Sequence, residues 1–262
     1  MARPPSSITR TGATEPWELQ VARGQIPWHE AVEVFGYNPD VDTALETVWP
    51  HGGILGFPAT ALQLSVSSNS ADDTAAGTGA RTVFVSGLDA NHNVISETVV
   101  LNGQTSVLTV QSFLHVNQCY VATAGSLDSA AGTIYFGTGT LTAGVPATVY
   151  DVIEFNYNVR LTGSYTVPAG YTAYISQGQF SVGQSGGSNP ITGRLVTRAT
   201  DDIRRTIAIV TINNGVADYT FEYPVPVQEK TTIEAQAVGT TTNNFCSTLF
   251  VMVLIKNDAG VP

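Results

Sequence analysis

"RTVFVSGLDANHNVISETVVL", residues 81–101, sets the fold class. Valine, isoleucine and phenylalanine alternate with polar residues on both sides of "DANHN", a cluster of turn formers, so the stretch reads as two strands joined as a hairpin. The same rhythm runs on either side of it from residue 59 onward. In the first half the pattern predicts strands at "LQLSVSS" (62–68), "RTVFVSGL" (81–88), "VISETVVL" (94–101), "TSVLTV" (105–110), "FLHVNQCYVA" (113–122) and "TIYFGT" (133–138). In the second half it predicts "TVYDVIEFNYNV" (148–159), "GSYTVP" (163–168), "TAYISQGQFSV" (172–182) and "TGRLVTRA" (192–199). "RTIAIVTI" (205–212), "DYTFEYPV" (218–225), "TTIEAQAV" (231–238) and "STLFVMVLIK" (247–256) complete the series.

Many short strands with Gly and Pro punctuation predict an all-β protein with a jelly-roll or β-sandwich body. Composition agrees, because Thr, Ser, Gly, Val and Ala dominate and only 12% of residues are charged. The body divides into a β-sandwich module over 59–146 and a jelly-roll-like module over 147–262, two units that can also be fused. In "TLFVMVLI" both faces are apolar: Leu249, Val251, Val253 and Ile255 on one, Phe250, Met252 and Leu254 on the other. Such a strand is either central between two layers or turned with one face toward another subunit. The first set is therefore the candidate oligomer interface, and a homotrimer the expected assembly.

Residues 1–58 differ from the rest. They hold seven of the thirteen prolines and all three tryptophans, with no sustained period apart from a possible helical turn around "DVDTALETVW". Prolines at that density work against ladders and long helices, whereas large aromatics are foreign to a disordered polar tail. The segment reads as an extended N-terminal arm anchored by Trp17, Trp28, Phe35, Tyr37, Trp49 and Phe57, on this body or on a neighbour.

The formal charge is −10 and Lys230 and Lys256 are the only lysines, which argues against a nucleic-acid partner. Arg204-Arg205 directly follows Asp201-Asp202 and reads as a locally neutralised turn. No apolar run has the length of a signal peptide core or a membrane span, so neither export nor a membrane partner is expected. Cys119 and Cys246 stand far apart without a CxxC, and read as buried free thiols.

Searches for chemistry end in turns and caps. "GQSGG" (183–187) matches the nucleophile-elbow spacing, but a proline and a strand follow and no histidine exists after His115. "GTGAR" (77–81) precedes a strand rather than a helix, so it is no phosphate loop. His29, His51, His92 and His115 are scattered with no i,i+4 pair. Asp40 and Asp42 lack the remaining ligands of a calcium loop and read as a turn acid and a helix cap, with Thr43 the alternative cap. Asp72-Asp73 reads as a turn before a strand. Glu97, Glu154, Glu222 and Glu234 lie in strands, where a glycosidase would need two of them to face one cleft. The expectation is a protein that is not an enzyme, with no catalytic residue, metal or cofactor.

A longer series of motifs carries a resemblance. "IPWHEAVEVFGYNPDVDT…ETVWPHGG", "ADDTAAGTGARTVFVSGLDANHNVISETVVLNGQ", "FLHVNQCYVATAGS…GTIYFGTG", "YTVPAGYTAYIS" and "VQEKTTIEAQAV" span nearly the whole chain in order. The series resembles virion structural proteins of tailed bacteriophages, notably cyanophages and other aquatic phages. The resemblance implies a virion location after assembly in the bacterial host cytoplasm. It implies the major capsid protein or neighbouring virion proteins as partners. Within that class a capsid cement or decoration protein, bound through the arm, is the first expectation. A fibre or tail attachment protein with a carbohydrate-binding β body is the second, and Tyr157, Tyr165, Tyr171 and Tyr174 are the residues that such a body would use.

Overall fold

Turn-forming residues cut the chain into segments of β-branched and aromatic residues, and these pair into antiparallel ladders. The computed structural model describes residues 9–10, 13–184, 189–200 and 202–257. A small ladder of β1 (Thr9–Arg10) and β2 (Ala13–Thr14) comes first, then α1 (Trp17–Ala22), β3 (His29–Val41) and β4 (Glu46–Thr47). There follow β5 (Leu62–Ser68), β6 (Ala80–Leu88), β7 (Val94–Val100), β8 (Val107–Phe113), β9 (His115–Ala124), β10 (Ile134–Thr142) and β11 (Val145–Ile153). The chain ends with β12 (Ser164–Thr166), β13 (Tyr171–Gln184), β14 (Ile191–Arg198), β15 (Arg204–Ile212), β16 (Gly215–Val227), β17 (Thr232–Gly239) and β18 (Asn244–Lys256).

The fold is all-β, and its strands form two sandwiches. In the first, the sheets β11-β10-β5-β8 and β7-β6-β9 enclose a core that includes Leu64, Val83, Val85, Phe113, Ile134 and Phe136. In the second, β16-β13-β18-β3 and β12-β17-β14-β15, with β4 beside β17, enclose Val34, Ile175, Phe180, Leu195, Ile233, Phe250 and Met252. The expected boundary at 146 falls inside β11. Ala143 and Gly144, at φ 49° and 84°, form a two-residue turn of the primed kind that suits a hairpin, so β11 folds back onto β10 and the first sandwich runs to Ile153. Residues 154–159, expected to continue that strand, lie beyond its end.

The arm expected over 1–58 requires correction. β3 pairs with β18 from His29↔Ile255 to Val41↔Asn244 and contributes Val34 and Val41 to the second core. Alternation was present in "HEAVEVFGY", but the surrounding prolines masked it. Pro39 is tolerated because β3 is an edge strand and Pro39 lies at its register irregularity, between the pairs Asn38↔Cys246 and Val41↔Asn244; there a missing N–H costs little.

The helical turn expected at "DVDTALETVW" is absent: Asp40 lies in β3 with its N–H held by Asn38 Oδ1 at 2.9 Å, and Glu46–Thr47 pair with β17. Asp42 and Thr43 therefore cap no helix. The short helix forms earlier, at Trp17–Ala22.

Buried polar groups fix this segment in place. Glu46 accepts from Asn38 Nδ2 at 2.9 Å and from the Gly53 N–H at 3.2 Å. Thr47 Oγ1 donates to Glu234 Oε1 at 2.6 Å, and Glu234 also takes Gln236 Nε2 and Arg204 Nε. Trp49 is 2% exposed and donates Nε1 to the Gly53 carbonyl at 3.0 Å. The chain then crosses to the first sandwich, where His51 packs between Trp49 and Tyr135 and Phe57 packs on His115 at 4.5 Å. The segment is a strap, but one that fastens this chain's own two sandwiches to each other.

A second tie runs the other way. Arg160, on the link from β11 to β12, pairs through Nε with Asp151 Oδ2 and donates Nη1 to the carbonyls of Thr162 and Ser164. Beside it, Gly36 passes so close to Gly163 that a Cβ would stand 2.6 Å from the Val48 oxygen and 2.7 Å from Gly163 Cα.

A chain beginning at Ala59 is accordingly expected to lose the second sandwich, read as loss of β-sheet circular dichroism and of a cooperative urea transition. Trp49→Ala should cost about 3–5 kcal/mol in urea unfolding, whereas Trp17→Ala, at an exposed site, should cost about 1 kcal/mol or less.

Candidate functional site

Alternation along β18 sends Phe250, Met252 and Leu254 into the core and leaves Leu249, Val251, Val253 and Ile255 half-buried on the outer face. The register of β3 sets Phe35 beside Leu249, Glu33 beside Val251, Ala31 beside Val253 and His29 beside Ile255. On the other flank β13 supplies Gln179, Gln177 and Tyr174 opposite Leu249, Val251 and Val253. Directly opposed residues share a sheet face, so these side chains form one strip. Trp17 extends it through an edge-on contact with His29 at 6.1 Å, and the Trp28 carbonyl accepts the Lys256 N–H at 3.1 Å at its end. Trp17, Trp28 and Phe35 are 45%, 50% and 51% exposed.

Two groups of residues far apart in sequence thus meet on one surface. The other expected anchors serve the chain's own packing: Trp49 is buried, Tyr37 packs on Tyr157 at 5.9 Å, and Phe57 on His115. Nor do the tyrosines of a sugar-binding platform share a face. Tyr171 and Tyr174 pair with Lys256 and Val253, positions on opposite sides of β18. Tyr165 packs against the second core, and Tyr157 stays with Tyr37.

Where the strap meets both sandwiches, Phe57, Pro58, His92, His115, Arg198 and Lys230 line a pocket of about 370 Å³. The Arg198 guanidinium sits 4.5 Å over the Phe57 ring and pairs with Asp202 at 3.2 Å, while the two imidazoles lie 5.4 Å apart. Burial, and then the charges of His92 and Arg198, push the His115 imidazole down to about 3. Burial and Lys230 lower His92 as well. Arg198 and Lys230 are the cationic side chains of this lining, and Asp202, which also lines it, sets a carboxylate against Arg198. Sequence spacing gave no hint of the histidine pair, because β6, β7 and β9 must assemble before His92 and His115 meet.

The strand carboxylates have structural partners or stand apart. Glu97 accepts the N–H groups of Val110 and Gln111, Glu154 accepts Thr133 Oγ1 at 3.2 Å, Glu234 is fully buried, and Glu222 is exposed on β16. Asp73 is more than a turn residue: its buried carboxylate accepts Ser68 Oγ and the N–H groups of Ala80, Ala131 and Gly132. "GTGAR" closes around it. Cys119 and Cys246 are free and sit in different cores. Ser185 of "GQSGG" lies outside the described residues. Among the described residues no group of three or more His, Cys, Asp or Glu converges, and no helix is long and apolar enough to cross a membrane.

No protein-family model matches the sequence, and no curated protein sequence does. Among solved structures the chain is similar to a VP2 subviral particle of infectious bursal disease virus, at 11% identity, covering 88% of this chain and 73% of that one with a TM-score of 0.25. It is also similar to T=1 particles derived from infectious bursal virus, at 13% identity, 87% and 70% coverage and a TM-score of 0.22. Likeness at that level carries no argument about function.

The His115 environment gives a pH dependence. Its folded pKa lies below the unfolded value, so the unfolded chain binds more protons between about pH 3 and pH 6.5, and stability falls as pH drops through that window. The slope from this one group is at most about 1.4 kcal/mol per pH unit. In urea titrations at a series of pH values, His115→Gln should flatten that part of the profile.

Proposed function

We propose that this chain is a non-catalytic structural protein of a tailed-bacteriophage virion, acting as a capsid cement or decoration protein. The observation that carries the reading is the outer strip on β18 and β3. Leu249, Val251, Val253 and Ile255 close a homotrimer across it, and Trp17 and Trp28 at its rim meet the shell. A row of half-buried apolar side chains, here bordered by His29, Glu33, Gln177 and Gln179, is what a subunit keeps for assembly rather than for its own core. The ordered motif series spanning the chain supports a virion protein of this class. A net charge of −10, Glu97 and Glu154 committed to backbone and hydroxyl donors, and a His115 imidazole whose proton affinity is lowered by burial support a role without chemistry of its own.

Two pairs of substitutions separate assembly from folding. Val251→Glu with Val253→Glu places charge on the outer face only, so sedimentation should shift from trimer to monomer while the sheet's circular dichroism stays intact. Trp17→Ala with Trp28→Ala should abolish binding to shells lacking the protein, with the melting transition nearly unchanged. Immunogold labelling of intact particles then locates the protein. Label over the shell supports a cement protein, label along the tail supports the fibre reading, and absence from particles overturns both.

A further inference from the structure

The register of β3 determines which of its backbone groups are already used. In an antiparallel ladder, alternate residues turn both N–H and C=O toward one neighbour, and the intervening residues turn theirs the other way. The Tyr37 N–H donates to the Leu161 carbonyl at 2.9 Å, on the side away from β18. Pairing with β18 is regular from His29 to Asn38, so the N–H and C=O groups of Phe35, Glu33 and Ala31 point the same outward way. Leu161 reaches the edge only at Tyr37, where Gly36 and Gly163 let the two backbones approach.

Beyond that point the edge opens on a cleft of about 460 Å³ between the sandwiches, within the range of roughly 300–1,000 Å³ typical of ligand sites. Residues 31–35 form one wall of it, and Ser86, Asn117 and Gln118 of the first sandwich contribute to the other. Arg160 also lines it. Its side chain is 4% exposed, its Nε and Nη1 are committed, and its Nη2 is buried with no hydrogen-bond partner.

We propose that this cleft is a strand-addition site for an extended peptide segment of a partner protein. The segment lies beside β3, exchanges N–H and C=O bonds with Ala31, Glu33 and Phe35, and offers a carbonyl to Arg160 Nη2. Backbone edges select for an extended backbone, and Ser86, Asn117 and Gln118 of the first sandwich line the same cleft. Charge selects its side chains. Glu33 is exposed on this edge and has no ion pair among the described residues, and the chain carries −10 overall, so the segment places a basic residue beside Glu33 and an apolar one beside Phe35. This inference stands apart from the virion reading, because it needs only the open edge and the unpaired guanidinium N–H.

Amide hydrogen exchange on the intact chain tests it, with an acetylated and amidated seven-residue peptide alternating valine and lysine as the probe. At millimolar peptide the Ala31, Glu33 and Phe35 amides should slow by about tenfold or more, while Val32 and Val34, already bonded to β18, stay unchanged. Replacing lysine by glutamate in the peptide should weaken that protection. Glu33→Pro removes an outward N–H and no bond to β18, so it should abolish protection at Ala31 and Phe35 with little change in melting. Should that variant fail to fold, a peptide N-methylated at its edge-facing amides must fail to protect the unaltered chain. Absence of alternating protection at millimolar peptide overturns the proposal. So does protection without peptide that grows with protein concentration, since the occupant would then be a second copy of this chain.

Discussion

The pairing of β3 with β18 joins residues near the two ends of the chain along most of both strands, from His29↔Ile255 to Val41↔Asn244, and the rest of the molecule depends on it. β18 is flanked by β13 on one side and β3 on the other, so without β3 the strand with the most apolar sequence would become an unprotected edge, a template for unwanted pairing. The pairing also makes the first sandwich an insertion: the chain enters the second sandwich with β3, leaves it after Glu46–Thr47, builds the first, and returns at β12. Closing so long a loop is tolerable, because its entropic cost grows only with the logarithm of its length, by about 0.6 kcal/mol per doubling.

Polar contacts contribute to how the two sandwiches sit and to how the connecting segments run: Asn117 of β9 donates Nδ2 to the Thr166 carbonyl of β12 at 2.8 Å and accepts the Thr166 N–H at 2.9 Å. Apolar burial is non-directional, and the two cores by themselves set no orientation of one sandwich against the other. The Asp151–Arg160 pair, the Glu46 and Glu234 clusters and the Asp73 cradle lie where the chain enters, leaves or turns within a sandwich. Buried charges of this kind contribute little net stability compared with apolar replacements, yet removing one partner is costly. They work as locating pins: each geometry is satisfied in one arrangement of the connecting segments.

The same two strands govern what faces outward. β18 offers one face to the core and one to the surface, so a single strand both stabilises the sandwich and carries the outer strip for which assembly is proposed. β3 contributes Phe35 to that strip, Val34 to the core and its backbone edge to the cleft. The proposed assembly through the face and the proposed capture of a peptide at the edge use different atoms of one strand.

The sequence alone was enough for the existence of the strands from residue 62 onward, though not for the bounds of β11, since period-two alternation bounded by Gly, Asn and Pro is a local signal that a ladder must obey. Both faces of 248–255 were likewise legible, because side chains alternate whatever the partner strand. The role of residues 29–57 was not. Pro39 reads as a breaker until one knows that it lies on an edge, at an irregularity of the ladder, and Trp49 reads as an anchor for a partner until the fold buries its ring beside His51 and sets its Nε1 on the Gly53 carbonyl. Nor does any spacing bring His92 to His115, or Trp17 and Phe35 to Leu249. Those meetings were decided by the tertiary structure, because proximity between residues distant in the chain is set by register and by the packing of sheets, which a local pattern does not encode.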